Sequence, residues 1–264
     1  MAEPHENTHR RSGASSEQLI AEAEAEPTEG WDFSWLDGRA TEERPSWGYA
    51  RRVVSRLADV GSVLDIQTGG GEVFSEALGE HAVPGMVCAT EGWHPNVELA
   101  RRRLARIGAV VVEARDDGPL PFVSRVFELV TSRHPTVVVW AEIARVLQPN
   151  GTYLSQQVAS GSNRELTDFM MDPQPVSRMR SPEQALSEAE AAGLAVVDLR
   201  HESLEVEFFD VGAVVYFLRK VPWTVPGFSV EAYRDRLVAM DDFIRKNGVF
   251  RSHAERMLIE ARRR

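Results

Sequence analysis

Short apolar runs alternate with amphipathic stretches through the middle of the chain. Apolar runs at 62–66, 85–90, 110–114, 127–132 and 152–158 are typical of buried β-strands. The segments between them carry helical periodicity at 73–78, 96–107 and 140–147, as where Leu99, Leu104 and Ile107 lie opposite three arginines. Strands that alternate with helices over about 100 residues predict right-handed βαβ units and a parallel sheet.

The outer parts of the chain have different patterns. Residues 1–28 are rich in Glu, Ser, Ala and His, which predicts a disordered acidic tail with at most a short helix around 17–26. An amphipathic helix is predicted at 47–57 and another at 182–192, before a strand-forming stretch at 194–209. Helical patterns at 211–219 and 230–246 precede a closing strand at 252–261, so 210–247 is interpreted as a helical insertion.

The most informative turn follows the first strand, where Asp65 is succeeded within six residues by Gly69, Gly70 and Gly71. Glycines between a strand and a helix permit positive φ and leave the backbone open to a ligand. In an open α/β sheet this turn lies at the carboxyl edge, where nucleotide-like ligands bind. Two alternatives are an ordinary βα turn without a ligand and a nucleotide-binding oxidoreductase. The oxidoreductase fingerprint G-x-G-x-x-G would place Phe74 where a glycine is required.

Composition narrows the class of protein. The 264 residues, 43% of them apolar, suffice for one substantial core, and a net charge of −10 disfavours a general nucleic-acid surface. The single cysteine, Cys88, excludes an intramolecular disulfide and a cysteine zinc site, and the seven histidines show no ligand-like spacing, so no metal is expected. No signal peptide or membrane-spanning run is recognised, and a cytoplasmic protein is predicted.

Several passages together carry a family resemblance. The turn Asp65-Ile66-Gln67-Thr68-Gly69-Gly70-Gly71 resembles the first motif of the class I S-adenosylmethionine-dependent methyltransferases, of the type 11-like kind, with Gln67 at the first glycine position. Leu120-Pro121-Phe122 and Phe127-Glu128-Leu129-Val130 are similar to the family's "LPF…FDLV" passage. The segment 142–152 is similar to its "E-x-x-R-V-L-x-P-G-G" passage, with Asn150 replacing a glycine. The matching passages span about 62–157.

This resemblance implies a fold and a domain organisation. The fold is a Rossmann-like, doubly wound α/β fold with a mostly parallel seven-stranded sheet, helices on both faces and a helical cap before the last strand. The methyltransferase domain then covers 29–264. Within it, 29–60 form an N-terminal lid and helix, 61–160 form the cofactor-binding core, and 210–247 form the cap.

The resemblance also implies S-adenosylmethionine as cofactor and assigns residues to it. Glu91, at the end of the second strand, is expected to accept hydrogen bonds from the ribose hydroxyls, since a carboxylate can accept both. Asp116 or Asp117, after the third strand, is expected beside the adenine, although Asp117-Gly118 also fits a simple turn. The expected cofactor-binding set is Asp65, Gln67, Gly69, Gly70, Gly71, Glu91, Asp116, Asp117 and Ser132.

Substrate chemistry is expected after the fourth strand, at Ser132-Arg133-His134-Pro135. His134 is the candidate general base, with a structural histidine as the alternative. Arg133 could pair with an anionic substrate or serve at the surface, while Trp31 and Trp35 are candidates for enclosing an apolar acceptor. The absence of an N-P-P-Y type sequence disfavours methylation of base amino groups.

The predicted function is methyl transfer by in-line displacement to an oxygen or nitrogen atom of a small-molecule acceptor. No nucleic-acid or membrane partner is expected, and the sequence does not define the oligomeric state. Two alternatives remain open at this point. One is a non-catalytic or regulatory protein that keeps the fold, and the other is an RNA or protein methyltransferase.

Overall fold

The computed structural model describes residues 13–28, 32–79, 83–173 and 175–264. The chain divides into two compact units. Unit 1 takes in 1–43, 163–176 and 204–254, and unit 2 takes in 44–162, 177–203 and 255–264. The elements, in chain order, are α1 (Ser16–Ala25), β1 (Ala40–Glu42), α2 (Tyr49–Leu57), β2 (Ser62–Asp65), α3 (Glu72–Gly79), β3 (Met86–Glu91), α4 (His94–Leu104), β4 (Val110–Glu113), β5 (Phe127–Arg133), α5 (Trp140–Val146), β6 (Leu147–Val158), α6 (Arg164–Met171), α7 (Pro182–Ala191), β7 (Leu194–Phe208), α8 (Val211–Lys220), α9 (Arg234–Asn247) and β8 (Phe250–Arg263).

Five strands of unit 2 form the parallel sheet that the sequence predicts. Their order is β6-β5-β2-β3-β4, and each neighbouring pair is parallel. All four residues of β2 are buried, as expected for a central strand covered on both faces. Adjacent strand residues point to opposite faces, so Val63 and Leu64 belong to two different apolar clusters. Residues of α2, α3 and α4 pack in one cluster, and residues of α5 and α7 pack in the other.

Antiparallel strands complete the sheet. In unit 2, β8 pairs with β6 from Thr152↔Arg262 to Val158↔Arg256. In unit 1, β1 pairs with β7 from Ala40↔Phe208 to Glu42↔Val206. Over the residues that the structure describes, the strand order is β1-β7-β8-β6-β5-β2-β3-β4, which gives eight strands where seven were predicted. The additional strand is β1, whose three residues are too short to show an alternating pattern.

Unit 1 has its own apolar core, and it changes the interpretation of the N-terminal region. Ser15 caps α1 through a capping box, and Leu19, Ile20 and Ala23 of this helix are buried in the core. The predicted disordered tail therefore does not extend over Ser16–Ala25, where the low overall apolar content hid one buried face. Residues 1–12 of that predicted tail lie outside the described residues. The predicted cap, 210–247, contains α8 and α9 and falls within unit 1.

Among the helices that the structure describes, none combines the length and apolar character needed to cross a bilayer.

Candidate active site

The chain topology creates one crevice in the parallel sheet of unit 2. From β2 the chain continues to β3 and β4 on one side, whereas β5 leads to β6 on the other side. The carboxyl ends of β2 and β5 therefore flank the point where the strand order reverses, the usual place for a ligand in this architecture. The cleft there has a cavity volume of about 20 Å³, room for little more than a water molecule, and is lined by Gln67, Asp116 and Ser132, among others.

Three residues of the turn after β2 adopt left-handed backbone geometry. Gln67, Gly69 and Gly71 have φ values of 55°, 63° and 79°. For the two glycines this conformation costs nothing, whereas for Gln67 the Cβ makes it strained. A Cβ on Gly71 would lie 3.3 Å from the Leu104 side chain, so glycine also lets the turn approach α4.

Gly70 connects the turn to α4. Its carbonyl oxygen accepts a hydrogen bond from the Arg103 guanidinium, which also pairs with Glu72 at 2.6 Å. An added Cβ on Gly70 would meet this same ion pair. The arginine run of α4 thus has one member with a structural role at the turn.

Glu91 connects the turn to the end of β3. Its carboxylate accepts hydrogen bonds from the Gly69 amide at 2.8 Å and the Trp93 amide at 3.0 Å. Only 8% of the residue is exposed. Burial raises the pKa of this carboxyl above its usual value, partly opposed by the two amide hydrogen bonds. Four lone-pair sites are available on a carboxylate, so Glu91 keeps acceptor capacity for a ligand.

The two candidate aspartates after β4 have different surroundings. Asp116 Oδ2 accepts from Thr136 Oγ1 at 2.6 Å, and its Oδ1 is buried with no hydrogen-bond partner among the described residues. A Cβ on Gly92 would lie 2.7 Å from this Oδ1, so glycine leaves room for it. Asp117 instead forms two 3.0 Å hydrogen bonds with Arg115 and does not line the cleft. Those bonds lower the pKa of Asp117, so its side chain has the surroundings of a surface ion pair.

Asp65 is a buried acid at the end of β2. Its Oδ1 accepts from Thr131 Oγ1 of β5 at 2.6 Å. Burial raises the pKa of Asp65 from 3.8 to about 6, against hydrogen bonds from Thr131 and Thr68 that lower it. The Asp65 carboxyl therefore links β2 to β5, the two strands that flank the crevice.

Ser132 belongs to a buried hydroxyl network. Its Oγ lies 2.8 Å from the Tyr153 hydroxyl and 2.9 Å from Ser155 Oγ. Tyr49 donates to the Ser132 carbonyl oxygen at 3.0 Å, and burial raises the pKa of this phenol well above its ordinary value. Tyr49, Tyr153 and Ser155 were not among the predicted site residues. For Tyr153 and Ser155 the signal in the sequence is a polar stretch inside the apolar strand β6, whereas Tyr49 begins α2 and has no such signal.

A chain of hydrogen bonds determines which ring nitrogen of His134 carries the proton. The Trp47 indole N–H donates to Gln156 Oε1 at 2.8 Å, and Gln156 Nε2 lies 2.9 Å from His134 Nε2. Because an indole only donates, the Gln156 amide is oriented with its NH₂ towards His134, and Nε2 must accept. The His134 ring proton is then on Nδ1. Burial, followed by Arg133 and Arg256, lowers the pKa of His134 well below 6.5, so the ring is neutral at pH 7.

This arrangement bears on the predicted general base. The Nε2 lone pair already accepts a hydrogen bond, and the backbone N–H of His134 donates to the Gln156 carbonyl at 2.6 Å. To take a proton from a substrate, His134 must first give up its bond to Gln156. The general-base role stays a prediction.

The predicted substrate residues are not all described. Arg133 is exposed at the end of β5. Trp35 belongs to unit 1, where its ring packs 4.8 Å from that of Tyr216 and under the Arg39 guanidinium. Trp31 lies outside the described residues. Within the described ranges, no group of three or more His, Cys, Asp or Glu side chains is arranged to hold a metal ion.

Gln67 reaches across the crevice. Its Nε2 donates to the Val137 carbonyl at 2.7 Å, and its Oε1 accepts from the Thr136 amide at 2.6 Å. The Thr136 hydroxyl lies 3.0 Å from the same Oε1. Since the single Thr136 hydroxyl proton is donated to Asp116, two hydrogen bonds join the turn after β2 to the segment after β5.

Comparisons with known proteins agree with this geometry. The family model described as a methyltransferase domain matches residues 64–155. A search of curated proteins found no match. Among solved structures, a candidate methyltransferase from Bacillus halodurans C-125 is 18% identical, with a TM-score of 0.54, 81% of this chain and 97% of that chain covered. The YcgJ protein of Bacillus subtilis is 16% identical, with a TM-score of 0.57 and coverages of 82% and 98%. The [4+2]-cyclase SpnF is 15% identical, with a TM-score of 0.51 and coverages of 95% and 97%.

The fold is that of the class I S-adenosylmethionine-dependent methyltransferases. Residues 64–155 match the methyltransferase-domain model, which indicates a methyltransferase with S-adenosylmethionine as its cofactor.

The residues at the crevice fit an adenosyl group. Glu91 keeps acceptor capacity, and Asp116 Oδ1 is a buried acceptor without a partner among the described residues, close enough to Gly92 that a Cβ there would clash with it. The ribose hydroxyls and the exocyclic amino group of adenosine are hydrogen-bond donors, so they can bond to these acceptors. The Gln67 side chain conflicts with an open site, because its hydrogen bonds to Thr136 and Val137 cross the crevice.

Proposed function

We propose that this enzyme transfers a methyl group from S-adenosylmethionine to an oxygen or nitrogen atom of a small-molecule acceptor. The observation that carries the proposal is the buried Asp116 Oδ1, which has no partner among the described residues, together with the Glu91 carboxylate bonded to the glycine turn. We infer that Glu91 would hold the ribose hydroxyls and Asp116 the adenine amino group. The bound cofactor would supply an activated methyl on a sulfonium.

The protein's own contribution is mainly positioning. Alignment of a nucleophile with the methyl carbon supplies much of the catalysis of an in-line displacement. The buried network of Ser132, Tyr153 and Ser155 gives the crevice a polar wall that does not move easily. We propose that the Nδ1–H of neutral His134 donates a hydrogen bond to the acceptor molecule, because Nε2 is already bonded to Gln156.

A small acceptor is favoured over a macromolecule by charge. The net charge of −10 is unfavourable for RNA, which requires clustered cations for its phosphates. Incubation with methyl-labelled S-adenosylmethionine, a panel of phenols, hydroxy acids and amines, and separately a cell extract tests this directly. Label in small molecules alone supports the proposal, whereas label in RNA or protein alone contradicts the small-acceptor assignment.

A second candidate is a protein that keeps the fold without transferring a methyl group. The bond of Gln67 to Val137 and the occupied Nε2 of His134 favour it. One structural neighbour of this fold, SpnF, is described as a [4+2]-cyclase, so the fold is not restricted to methyl transfer. Cofactor binding without any methylated product across the panel and the extract would favour this second candidate.

A further inference from the structure

Gln67 lies at the carboxyl end of β2, directly opposite the segment that follows β5. Gln67 follows β2 by two residues, and Thr136 and Val137 follow β5 by three and four residues. These two strands are the pair that flanks the reversal of strand order. A side chain that joins their carboxyl ends therefore crosses the space in which a ligand of this architecture lies.

The Gln67 bonds use both ends of the amide. Nε2 donates to the Val137 carbonyl at 2.7 Å, while Oε1 accepts from the Thr136 amide at 2.6 Å. The backbone of Gln67 has φ 55°, a conformation that Gln rarely adopts. The strained backbone directs the side chain across the crevice, and one hydrogen bond at each end of the amide fixes this closed arrangement.

The segment held by Gln67 has two further attachments. The Thr136 hydroxyl lies 2.6 Å from Asp116 Oδ2, and the Thr136 carbonyl accepts a hydrogen bond from Arg180. The same segment begins at His134, which is fixed to Gln156. Movement of Thr136 away from Gln67 would therefore act on both a cofactor-side acid, Asp116, and a substrate-side residue, His134.

We propose that the Gln67 side chain is a strap that closes the cofactor crevice, and that S-adenosylmethionine binds only when this strap releases Thr136 and Val137. Residue 67 thereby sets cofactor affinity, and cofactor binding frees the segment 134–137 that contacts the acceptor. Cofactor binds before acceptor as a consequence. This inference rests on the proposed function in that it takes the crevice as the cofactor site.

The affinity test compares wild type with Gln67→Gly and Gln67→Ala, using S-adenosylhomocysteine as the unreactive probe in calorimetry. Gln67→Gly removes the strap and the backbone strain together, and Gln67→Ala removes the strap alone. We expect about tenfold tighter binding for Gln67→Gly and a smaller gain for Gln67→Ala, because the ligand no longer breaks the strap's hydrogen bonds. Gln148→Ala is the matched control, since Gln148 Nε2 also donates to a backbone carbonyl, that of Val126, at 2.9 Å; its affinity should equal that of wild type.

Hydrogen exchange detects the hydrogen bond between Gln67 and Thr136 independently of ligand affinity. The Thr136 amide donates to Gln67 Oε1, so its hydrogen exchange in the ligand-free protein should be slow in wild type and faster in Gln67→Gly. Adding S-adenosylhomocysteine to wild type should make Thr136 exchange as fast as in Gln67→Gly. Equal exchange in the two ligand-free proteins would overturn the strap.

The outcomes separate the strap from the proposed function. If wild type binds the probe and Gln67→Gly binds it equally or more weakly, Gln67 contacts the ligand instead of excluding it, and the strap is wrong while the cofactor assignment stands. If neither folded protein binds the probe, both fail. Circular dichroism and thermal unfolding of each variant show whether it is folded.

Discussion

At the scale of single residues, the burial of Asp65 should make the free energy of unfolding depend on pH. Its pKa is about 6 in the folded protein and 3.8 ordinarily, so between these values the native state binds more protons than the unfolded state. The free energy of unfolding should therefore fall as pH rises through this window. Two pKa units correspond to about 3 kcal/mol. Burial raises the pKa of Glu91 as well, which acts in the same direction.

We predict that Asp65→Asn flattens this dependence. Asn can still accept the hydrogen bond from Thr131 but cannot ionise. Urea unfolding at pH 4.5 and 7.5 should show the wild type losing stability at the higher pH relative to Asp65→Asn. Asp117→Asn, at an exposed acid whose pKa is lowered by Arg115, is the control and should not flatten the curve in this way. Parallel curves for wild type and Asp65→Asn would contradict the assignment.

The hydrogen-bond chain from Trp47 to His134 gives a second prediction at this scale. Gln156→Glu replaces the amide donor with a carboxylate, which can only accept, so the protonated imidazole becomes favourable and the pKa of His134 should rise. NMR titration of the ring protons measures it, with His134→Gln to assign the signal. A wild-type His134 that titrates near 6.5, and does not respond to Gln156→Glu, would show that the chain does not control this ring.

At the scale of elements, helix α5 gives a structural reason for the "E-x-x-R" motif, which the sequence alone identifies only through its resemblance to the family. Arg145 forms two hydrogen bonds with Glu142 and donates to the carbonyls of Leu120 and Phe122, while Glu142 accepts from the Leu120 amide at 2.7 Å. The pair thus fixes the segment before β5, and Leu120 lines the cleft. The "E-x-x-R" spacing is one helical turn, which places both side chains on the same face.

Arg145→Lys should lower the free energy of unfolding by about 1–2 kcal/mol, because an ammonium cannot reproduce the forked contacts of a guanidinium. Chemical denaturation measures the change. Arg106→Lys, at an exposed arginine, is the matched control and should stay within about 0.5 kcal/mol of wild type. A loss no larger than that of the control would mean that the pair contributes little to the segment.

The parallel core was predictable because its strands are apolar runs and its turns contain glycine. Glu91 and Asp116 could be located by their place after β3 and β4. The direction of the Gln67 side chain could not, since it depends on contacts with Thr136 and Val137, about 70 residues away. The same holds for His134, whose partner Gln156 lies on the neighbouring strand. The short helix allowed around 17–26 is present as α1, but its packing into a core was not predicted, because its three buried residues interrupt an otherwise polar segment.

At the scale of the whole molecule, sequence and structure define the chemistry more closely than the acceptor. The match to the methyltransferase-domain model spans 64–155, while 163–176 and 204–254 belong to unit 1, which has its own core. The predicted roles of Trp31, Trp35 and the cap at 210–247 in acceptor binding stay predictions, as does a cytoplasmic location. For the acceptor-binding roles, neither the sequence nor the structure identifies the group that these residues would contact.

The central claim is that the crevice beside Gly69 holds the adenosyl cofactor through Glu91. Calorimetric titration of S-adenosylhomocysteine into wild type, Glu91→Ala and Glu113→Ala tests it most directly, because Glu113 pairs with Glu91 in the strand register and ends the next strand. We predict one site in wild type, about a hundredfold weaker binding for Glu91→Ala from the loss of two charge-assisted hydrogen bonds, and unchanged binding for Glu113→Ala. No binding by the folded wild type, or equal affinities for wild type and Glu91→Ala, would contradict the account.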